Sequence, residues 1–279
     1  MASEGLAGTG MKVVSPEQAF DAVSWRYDRR WHSRISARLR ALSLSLLLDH
    51  FRPGERVIEL GCGTGLEAVS LAKRGIRVCA LDPSPRMLAL TEARARARGV
   101  HELVHTHRLR ASQAVLLRQE HPGQVYDGAY SSFGPISLEE RLAALPPMLW
   151  ALLRPGGFLI TSTFNYFCIT EFAIELLALK PAKAIRRIRR PTLLEADGLA
   201  CPAYAYRLGE LVRLFGRHFN LEEALYAPVL VPPYEYEPTF RKLPSFVRNV
   251  VWSLDGRLWR ARPLNALGSH LFCVFSRRS

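Results

Sequence analysis

Near residue 57 the hydrophobic pattern predicts a strand, a tight turn and a helix in direct succession. Residues 57–60 form a short apolar run with one acid, with Pro53-Gly54 before it and three glycines after it. Such a run between turn residues is typical of a buried parallel strand. Residues 66–73 then repeat apolar side chains at helical spacing, and Gly75 is placed to end the helix. The succession is half of a βαβ unit, whose turn brings backbone N–H groups and a helix N-terminus close to a ligand.

The same alternation of apolar runs and helical periodicity continues along the chain and indicates an α/β fold. Further strands are predicted over 77–81, 103–109, 126–130, 154–161, 221–230 and 270–275. Helices are predicted from Ser15-Pro16, over 33–51, from Ser84-Pro85 to Gly99, over 138–153 with a break or kink at Pro146-Pro147, over 169–179 and over 208–215. Residues 1–15 are predicted to be disordered.

The glycine turn is accompanied by two acidic residues. Glu59 comes two residues before Gly61, and the glycines follow as Gly61-x-Gly63-x-Gly65 rather than as the G-x-G-x-x-G of a dinucleotide fold. The next strand ends at Asp82, where a carboxylate can accept hydrogen bonds from ribose hydroxyls. Together, these features resemble motif I of the class I S-adenosylmethionine-dependent methyltransferases.

A second, independent resemblance to this superfamily is the turn Leu-Arg-Pro-Gly-Gly at 153–157. The resemblance implies a doubly wound, seven-stranded, mostly parallel sheet with an antiparallel last strand. It divides the chain into an N-terminal helical lid over 16–52 and a methyltransferase domain over 53–279, with insertions at about 164–206 and 231–268. The other interpretations of the motif are a nucleotide-binding or oxidoreductase relative and a glycine turn that holds no ligand.

The resemblance also implies S-adenosylmethionine as the cofactor and a set of residues around it. Glu59 is the candidate beside the methionine moiety, and Asp82 is the candidate beside the ribose. Tyr27 belongs to the Phe-Asp…Tyr-Asp pattern of the predicted lid, where it would touch the methionine end or the acceptor, or would only pack the lid on the core. The predicted cofactor-binding residues are Tyr27, Glu59, Gly61, Cys62, Gly63, Gly65, Asp82, Pro83, Met87, Arg110, Ala111, Ser112, Ser131 and Ser132.

One position departs from the pattern of the superfamily. After the third strand many members carry Gly-Asp-Ala, whose acid and backbone amide hold the adenine, whereas this chain has Leu109-Arg110-Ala111. Arginine has no acceptor for the adenine amino protons. The adenine is therefore expected to be held by backbone groups around Ala111 and Ser112 or by Gln113, or to stack on Arg110.

The acceptor is expected beyond the carboxyl ends of the strands, where ligands of open α/β sheets bind. The loop at 131–134 reads Ser-Ser-Phe-Gly, which does not match the Asn/Asp-Pro-Pro-Tyr/Phe loop of DNA N-methyltransferases and counts against a nucleic-base amine. Insertions wall the substrate pocket in this superfamily, and the aromatic and proline residues of both insertions suit an apolar or planar substrate. Phe133, Tyr166 and Tyr234 are the predicted substrate-binding residues. A covering layer over the sheet is the alternative role of the insertions.

The composition adds a strong basic bias to this picture. The formal net charge is +13 and the isoelectric point is about 10, with arginine supplying most of the positive charge. A basic surface suits RNA, DNA, an anionic membrane or an acidic small molecule, and genome base composition explains it equally well. The densest basic run, residues 180–190, has three interpretations: a solvated helix face, a contact with anionic lipid or substrate, and an RNA contact.

Cysteine and histidine usage predicts neither a disulfide framework nor a metal site. None of the five cysteines forms a C-x-x-C pair or has a histidine at metal-ligand spacing, which favours reduced, buried thiols in a cytoplasmic protein. The N-terminus does not resemble a signal peptide, and no apolar run reaches membrane-spanning length. His32, His105, His107 and His218 are scattered, and no histidine–acid pair indicates a general base.

These observations converge on an enzyme that carries out SN2 methyl transfer from S-adenosylmethionine. Such a protein mainly has to hold donor and acceptor in line. We expect a small-molecule or lipid-like acceptor, made or used in biosynthesis, rather than nucleic acid. The alternatives are an RNA methyltransferase that uses the basic surface and a non-catalytic relative that only binds the cofactor. The acceptor atom, the general base and the oligomeric state stay open.

Overall fold

A mostly parallel sheet lies at the centre of the computed structural model, which describes residues 11–30 and 33–279. The strands are β1 (Lys12–Val13), β2 (Arg56–Leu60), β3 (Arg77–Leu81), β4 (Val104–His107), β5 (Tyr126–Ser131), β6 (Leu153–Asn165), β7 (Thr192–Ala196), β8 (Leu199–Ala203), β9 (Ala205–Tyr206), β10 (Phe219–Ala227) and β11 (His270–Arg277).

The order of strands in the central sheet is β10-β11-β6-β5-β2-β3-β4, and the short β9 pairs with the end of β6. Strands β2 to β6 are paired in parallel, whereas β11 runs antiparallel to both of its neighbours, β6 and β10. The predicted doubly wound sheet with an antiparallel last strand is confirmed. Its carboxyl ends bring the loops after β2, β3, β4 and β5 to one edge, where the site forms.

Helices alternate with these strands as the periodicity predicts. They are α1 (Pro16–Val23), α2 (Tyr27–Arg30), α3 (Arg34–His50), α4 (Leu66–Ala72), α5 (Pro85–Ala97), α6 (Leu117–Glu120), α7 (Leu145–Leu152), α8 (Ile169–Leu177), α9 (Pro181–Ala184), α10 (Leu208–Phe215), α11 (Glu237–Arg241) and α12 (Ser245–Leu258).

Side-chain caps set the starts of two helices that border the site. Ser15 accepts a hydrogen bond from the backbone N–H of Gln18, and the Gln18 side chain accepts one from the Ser15 N–H, which makes a capping box for α1. Ser84 accepts a hydrogen bond from the Met87 N–H at 3.2 Å and caps α5, with Pro85 in the first turn. Both caps lie at the predicted positions.

The predicted kinked helix over 138–153 is wrong. The structure has two short 3-10 turns, Pro135–Leu138 and Leu142–Ala144, followed by α7. Pro146 and Pro147 lie in the first turn of α7, where a missing N–H costs no intrahelical hydrogen bond. The prolines therefore start the helix instead of bending it.

A second, small sheet with the order β1-β8-β7 joins the start of the described chain to the first insertion. Lys12 pairs with Leu199 in parallel register, and the Val14 N–H donates to the Ala200 carbonyl at 2.8 Å. The prediction of disorder over residues 1–15 is therefore wrong for 12–15, while residues 1–10 lie outside the described residues. The pairing had no sequence signal because its partners are far apart in the chain.

The two predicted insertions contribute elements on either side of the last strands. α8, α9, β7, β8 and β9 lie between β6 and α10, while α11 and α12 lie between β10 and β11. In the second segment the buried carboxylate of Asp255 accepts hydrogen bonds from the N–H groups of Val229, Leu230 and Val231 and from the Trp259 indole, at 2.7 to 3.1 Å. This carboxylate ties α12 to the chain that leaves β10.

Two further predictions concern the cysteines and the possibility of a membrane-spanning helix. All five cysteines are buried and free, as predicted. Among the described residues, none of the helices combines the length and the apolar character that crossing a membrane requires.

Candidate active site

The glycine turn after β2 lines a cleft at the carboxyl ends of the parallel strands. The cleft encloses about 990 Å³ of empty space, including the part open to solvent. Gly63 has a φ of +53°, and a Cβ atom built there would meet no atom within 4 Å, so its backbone faces open space. Gly65 has a φ of +74°, and a Cβ atom there would lie 2.6 Å from Thr91 Cγ2. Gly63 thus leaves room for a ligand, whereas Gly65 allows the turn to pack against α5.

Two buried carboxyl groups flank the turn. The Oε2 atom of Glu59 is buried, and no hydrogen-bond partner for it exists within 11–30 and 33–279. Burial first, and then the negative charge of Glu67, raise the pKa of Glu59 well above its ordinary value. A cationic group next to this unpartnered oxygen would satisfy it and favour the ionised carboxylate. The ammonium group of the methionine moiety of S-adenosylmethionine is such a cation.

The carboxylate of Asp82 is held in place by the backbone. It accepts hydrogen bonds from the N–H groups of Gly63 and Ser84, both at 2.9 Å. Burial raises the pKa of Asp82 to about 6, and these two bonds oppose the shift. Since each carboxylate oxygen can accept two hydrogen bonds, Asp82 keeps acceptor capacity for ribose hydroxyls. The acids and the open glycine backbone therefore fit the predicted cofactor.

Hydrogen bonds and an ion pair of two aspartates hold the N-terminal helices over this cleft. Asp21 in α1 accepts a hydrogen bond from the Ser84 hydroxyl at 2.7 Å and one from the Arg86 N–H at 3.2 Å. Asp28 in α2 accepts one from the Thr64 hydroxyl at 2.7 Å and is ion-paired with Arg94. The aromatic residues that precede these aspartates in sequence, Phe20 and Tyr27, line the cleft. Burial raises the pKa of Tyr27, so its hydroxyl stays protonated.

The structure brings most of the predicted cofactor-binding residues to this one cleft. Those that line it are Tyr27, Glu59, Gly61, Cys62, Gly63, Asp82, Pro83, Met87, Arg110, Ala111 and Ser132. Ser112 and Ser131 lie outside its lining, as does Gly65. The Ser131 hydroxyl instead donates to the Leu60 carbonyl at 3.0 Å, and Gln113 accepts from the Arg110 N–H at 2.9 Å. The adenine candidates in the lining are therefore Arg110 and Ala111.

A smaller, mostly apolar cavity continues from the cleft. It has about 530 Å³ of empty space, including the part open to solvent, and shares six lining residues with the cleft: Phe20, Tyr27, Arg40, Phe133, Phe164 and Leu194. Tyr234, Leu39, Ser36 and His270 complete its wall. We call it the acceptor cavity. Burial and then the charge of Arg187 lower the pKa of His270 to about 3, so its imidazole is neutral at physiological pH.

Of the three predicted substrate-binding residues, two line this cavity and one does not. Phe133 lies between the cleft and the acceptor cavity, and Tyr234 lines the acceptor cavity. Tyr166 lines neither, because the guanidinium groups of Arg190 and Arg207 cover its ring at 5.1 and 3.9 Å from the centroid. Its prediction as a substrate contact is corrected to a packing role beneath two arginines.

Sequence reasoning missed the charged pair at the junction of the two cavities. Arg40 in α3 donates to Glu67 in α4 at 2.5 Å, and its guanidinium lies 4.8 Å from the centroid of the Phe133 ring. Both charged residues line the cleft. Arg40 has no motif around it and sits on a helix whose signal is a stripe of leucines. Only the packing of α3 against the glycine-turn helix shows its place.

Two arginines of the basic run at 180–190 belong to an internal ion-pair cluster. Glu171 of α8, with a side chain 2% exposed, pairs with Arg186 at 2.5 Å and Arg187 at 2.7 Å. Burial raises the pKa of Glu171, but the two arginines outweigh it and lower the pKa to about 2. Arg187 also donates to the Ser269 carbonyl at 2.7 Å, next to the acceptor cavity. The interpretation as a solvated helix face is therefore wrong for these two arginines.

The scattered histidines do not form a base in the cleft. His107 Nδ1 lies 2.5 Å from Glu120 Oε2, and with His121 these residues place three ligand-type atoms within 4.8 Å of one another. None of the three lines the cleft or the acceptor cavity. His32 lies outside the described residues.

Comparison with known proteins agrees with this geometry. Residues 57–157 match the model of a family described as a methyltransferase domain. The chain is 28% identical over 221 residues to the ubiquinone biosynthesis O-methyltransferase of Azotobacter vinelandii, a match that covers 72% of this chain and 88% of that protein. Other curated proteins of that name match over about half of their own length.

Solved structures extend the likeness beyond the family match. A Listeria monocytogenes protein assigned to the S-adenosylmethionine-dependent methyltransferases superposes with a TM-score of 0.62 at 14% identity, covering 88% of this chain and 100% of that one. The N-methyltransferase NodS of Bradyrhizobium japonicum, solved with S-adenosylhomocysteine, superposes with a TM-score of 0.56 at 11% identity, covering 94% and 98%. At such identities these matches establish the fold.

The family match and the cleft concern the same residues. The matched segment runs from β2 through the glycine turn, Asp82 and Arg110 into β6, and it therefore contains the predicted cofactor contacts apart from Tyr27. Residues 57–157 are therefore similar to a methyltransferase domain, the fold of the chain is that of S-adenosylmethionine-dependent methyltransferases, and S-adenosylmethionine is the cofactor that these two findings indicate.

Proposed function

We propose that the protein transfers the methyl group of S-adenosylmethionine to a small-molecule or lipid-like acceptor held in the acceptor cavity. The observation that carries this proposal is the continuity of that cavity with the cofactor cleft through Phe133 and Phe164. An apolar, aromatic cavity with few polar groups is typical of a small-ligand site. Ubiquinone biosynthesis O-methyltransferases among the relatives support a small acceptor of biosynthetic origin.

Each part of the site has a role in this proposal. The bound cofactor supplies an electrophilic methyl group on its sulfonium. Glu59 holds the ammonium of the methionine moiety, Asp82 holds the ribose hydroxyls, and Arg110 and Ala111 lie at the adenine end. The N-terminal helices 16–52 act as a lid that excludes water through Phe20 and Tyr27. The protein thus contributes mainly orientation and a dry site.

The acceptor cavity offers few groups for proton transfer. His270 has a buried, neutral imidazole that can accept a hydrogen bond from an acceptor hydroxyl. With a pKa of about 3 it is a poor general base, because efficient bases have pKa values near the working pH. We therefore assign His270 to orientation, and the proposal needs no strong base if the acceptor atom is already nucleophilic.

The structure weakens the main support for an RNA acceptor. Lys183, Arg186, Arg187 and Arg190 of the basic run are all ion-paired with glutamates, so these cations do not form an open phosphate track. Deep, aromatic walls also suit a free small molecule better than a base within a folded RNA. We keep a cytoplasmic location as part of the proposal, to be tested by cell fractionation.

The decisive experiment supplies the protein with cofactor labelled in the methyl group. Separate reactions contain a small-molecule extract, a lipid extract or total RNA, and Asp82→Ala serves as the cofactor-site control. We expect label in the small-molecule or lipid fraction, lost in the variant. Label in RNA alone would overturn the proposal. Tight binding of S-adenosylmethionine without transfer to any fraction would favour a non-catalytic relative.

A further inference from the structure

Helix α8 is amphipathic in the reverse of the usual sense. Its two acids, Glu171 and Glu175, are 1% and 4% exposed and point into the ion-pair cluster. The leucines at its end are exposed instead: Leu176 is 49% exposed, Leu177 is 85% exposed, and Leu179 just beyond the helix is 88% exposed. Surface helices of globular proteins bury the apolar stripe and expose the charged face. This helix does the opposite at its C-terminal end.

The backbone holds one of these leucines in solvent at a cost. Leu179 has a φ of +58°, in the left-handed region that leucine rarely adopts. Its N–H donates to the Leu176 carbonyl at 3.0 Å, and the next N–H, of Lys180, donates to the Glu175 carbonyl at 2.9 Å. These bonds fix a tight turn that presents the leucine outward. A strained apolar residue that gains no packing within its own chain suggests a partner outside it.

The charges around these leucines are of one sign. Residues 172–194 contain a single acid, Glu175, which is buried. Among the residues that the structure describes, neither Lys180 nor Arg189 has an ion-pair partner, and both are exposed. Ile188, 41% exposed, lies beside Arg189 in sequence. We call this set — Leu176, Leu177, Leu179, Lys180, Ile188 and Arg189 — the leucine–lysine surface.

We propose that the leucine–lysine surface docks the protein on an anionic lipid bilayer. Exposed leucines provide apolar area to bury at the level of the headgroups, and the unpaired cations Lys180 and Arg189 complement anionic lipid. RNA would not explain these exposed leucines, since RNA offers no apolar interior. The formal net charge of the chain is +13, so the protein as a whole is not repelled by an anionic membrane.

Contacts from the first insertion to the second insertion and to the residue before β11 connect this surface to the acceptor cavity. The Tyr236 hydroxyl donates to Glu175 at 2.6 Å, so the end of α8 is attached to the segment that contains Tyr234. On the other side, Arg187 binds the Ser269 carbonyl, next to His270. Both Tyr234 and His270 line the acceptor cavity. Docking would therefore bring to the bilayer a segment that contacts the neighbours of two cavity-wall residues. Membrane binding itself does not depend on the proposed reaction.

The test is sedimentation of the full chain with vesicles of phosphatidylcholine, prepared with and without phosphatidylglycerol. We expect binding to the vesicles that contain phosphatidylglycerol, weakening as salt rises. The variant Leu177→Ser/Leu179→Asn should lower the partition coefficient by about tenfold or more for each leucine. Asparagine is chosen because it tolerates the left-handed conformation. Lys180→Ala should lower it by about fivefold.

Matched controls separate docking from loss of the fold. Val125 is 53% exposed before β5, and Val125→Ser should leave vesicle binding unchanged. Calorimetric affinity for S-adenosylmethionine, expected unchanged in all variants, reports the fold without requiring any methyl transfer. Equal vesicle binding by the wild type and the double leucine variant would overturn the proposal. It would equally be overturned by a wild-type dimer that becomes monomeric in that variant, since a second copy would then cover the leucines.

Discussion

The two halves of the active-site cleft are built in opposite ways. The cofactor half comes largely from one stretch, residues 59–87, with Arg110 and Ala111, and its Asp82 carboxylate is held by the nearby backbone N–H groups of Gly63 and Ser84. The acceptor half takes three residues from α3 and one each from α1, α2, the loop after β5, β6, β7, the segment after β10 and β11. The first half is therefore a property of local sequence, while the second exists only in the assembled chain. A substitution in the cofactor half should therefore affect mainly cofactor binding, whereas a substitution in the acceptor half should affect the packing of several elements.

The largest effect is expected in the scaffold of the acceptor half. Replacing Glu171 by alanine leaves Arg186 and Arg187 without their shared carboxylate, and removing one partner of a buried ion pair costs about 3–5 kcal/mol. Urea unfolding should show a loss of that size in the free energy of unfolding. Cofactor affinity of the protein that remains folded should be unchanged, because the cluster does not touch the cofactor half.

The matched control for this prediction is Glu210→Ala. Glu210 pairs with Arg190 at 2.7 Å, but both side chains are about one-third exposed. Such pairs contribute about 1 kcal/mol or less. If the two substitutions cost the same, the buried cluster is not the scaffold of this half.

A smaller effect, confined to the cofactor half, is expected for Asp82→Ala. The substitution removes the acceptor of the Gly63 and Ser84 N–H groups and of the ribose hydroxyls, and we expect cofactor binding to weaken by about 1–3 kcal/mol. Tyr234→Ala is the companion change in the acceptor half. It should alter the KM for the acceptor while titration calorimetry finds an unchanged Kd for S-adenosylmethionine. A loss of cofactor affinity in both Asp82→Ala and Tyr234→Ala would contradict the division of the cleft into a cofactor half and an acceptor half.

Cofactor affinity should also fall at acid pH. Since the pKa of Asp82 is about 6, the carboxylate that we propose accepts the ribose hydroxyls is protonated progressively below pH 6, and Kd should rise toward about tenfold per pH unit. The Asp82→Asn variant should show a shallower dependence between pH 7 and pH 5. A wild-type Kd that is constant over that range would contradict the assigned role.

The unliganded fold should respond to pH in the opposite direction through the same group. The pKa of Asp82 is raised above its ordinary value of 3.8, so this residue's contribution to stability is fully present at low pH and is lost as pH rises through about 6. Thermal melting of wild type and Asp82→Asn, with and without cofactor, separates the two trends. In Asp82→Asn, the pH dependence of the unliganded protein's melting temperature and the pH dependence of its stabilisation by cofactor should both be smaller than in the wild type.

The smallest effect is expected where the halves meet, at the lid. Asp28→Asn weakens the hydrogen bond to Thr64 and the ion pair with Arg94. The Asp28 side chain is 44% exposed. Exposed pairs contribute at most about 1 kcal/mol, so Kd should rise less than about fivefold. Stopped-flow release of the cofactor should nevertheless accelerate, because the lid opens more often. Glu102→Gln, a change at a remote exposed acid, should leave the release rate unaltered.

The sequence allowed prediction of the cofactor half because its chemistry is contiguous. Gly61-x-Gly63-x-Gly65, Glu59 and Asp82 appear at fixed spacings that a strand, a turn and a second strand impose. The doubly wound sheet with an antiparallel last strand followed from the resemblance that these residues carry. Within this half, three predicted contacts lie outside the cleft lining, namely Gly65, Ser112 and Ser131, whose hydroxyl donates to the Leu60 carbonyl.

The acceptor half could not be predicted to the same degree, since its residues carry no mutual spacing. Arg40 and Glu67 meet only after α3 packs on α4, and Phe164, Leu194 and His270 share no motif. The charge of the basic run was visible, but its burial depended on Glu171, which lies one helix earlier. Helical periodicity alone would also place the leucines of α8 inside and its glutamates outside.

Strand β11 has a consequence for synthesis of the chain. It lies between β6 and β10, both of which precede it in sequence, and among the strands of the described chain β10 pairs only with β11. On the ribosome, β6 therefore exposes an unpaired edge until residues 270–277 emerge, and open edges invite pairing with other chains. The matched segment 57–157 can form its cofactor turn earlier. The wall that contains His270 is completed last, so the nascent protein can recognise its cofactor before it can hold an acceptor.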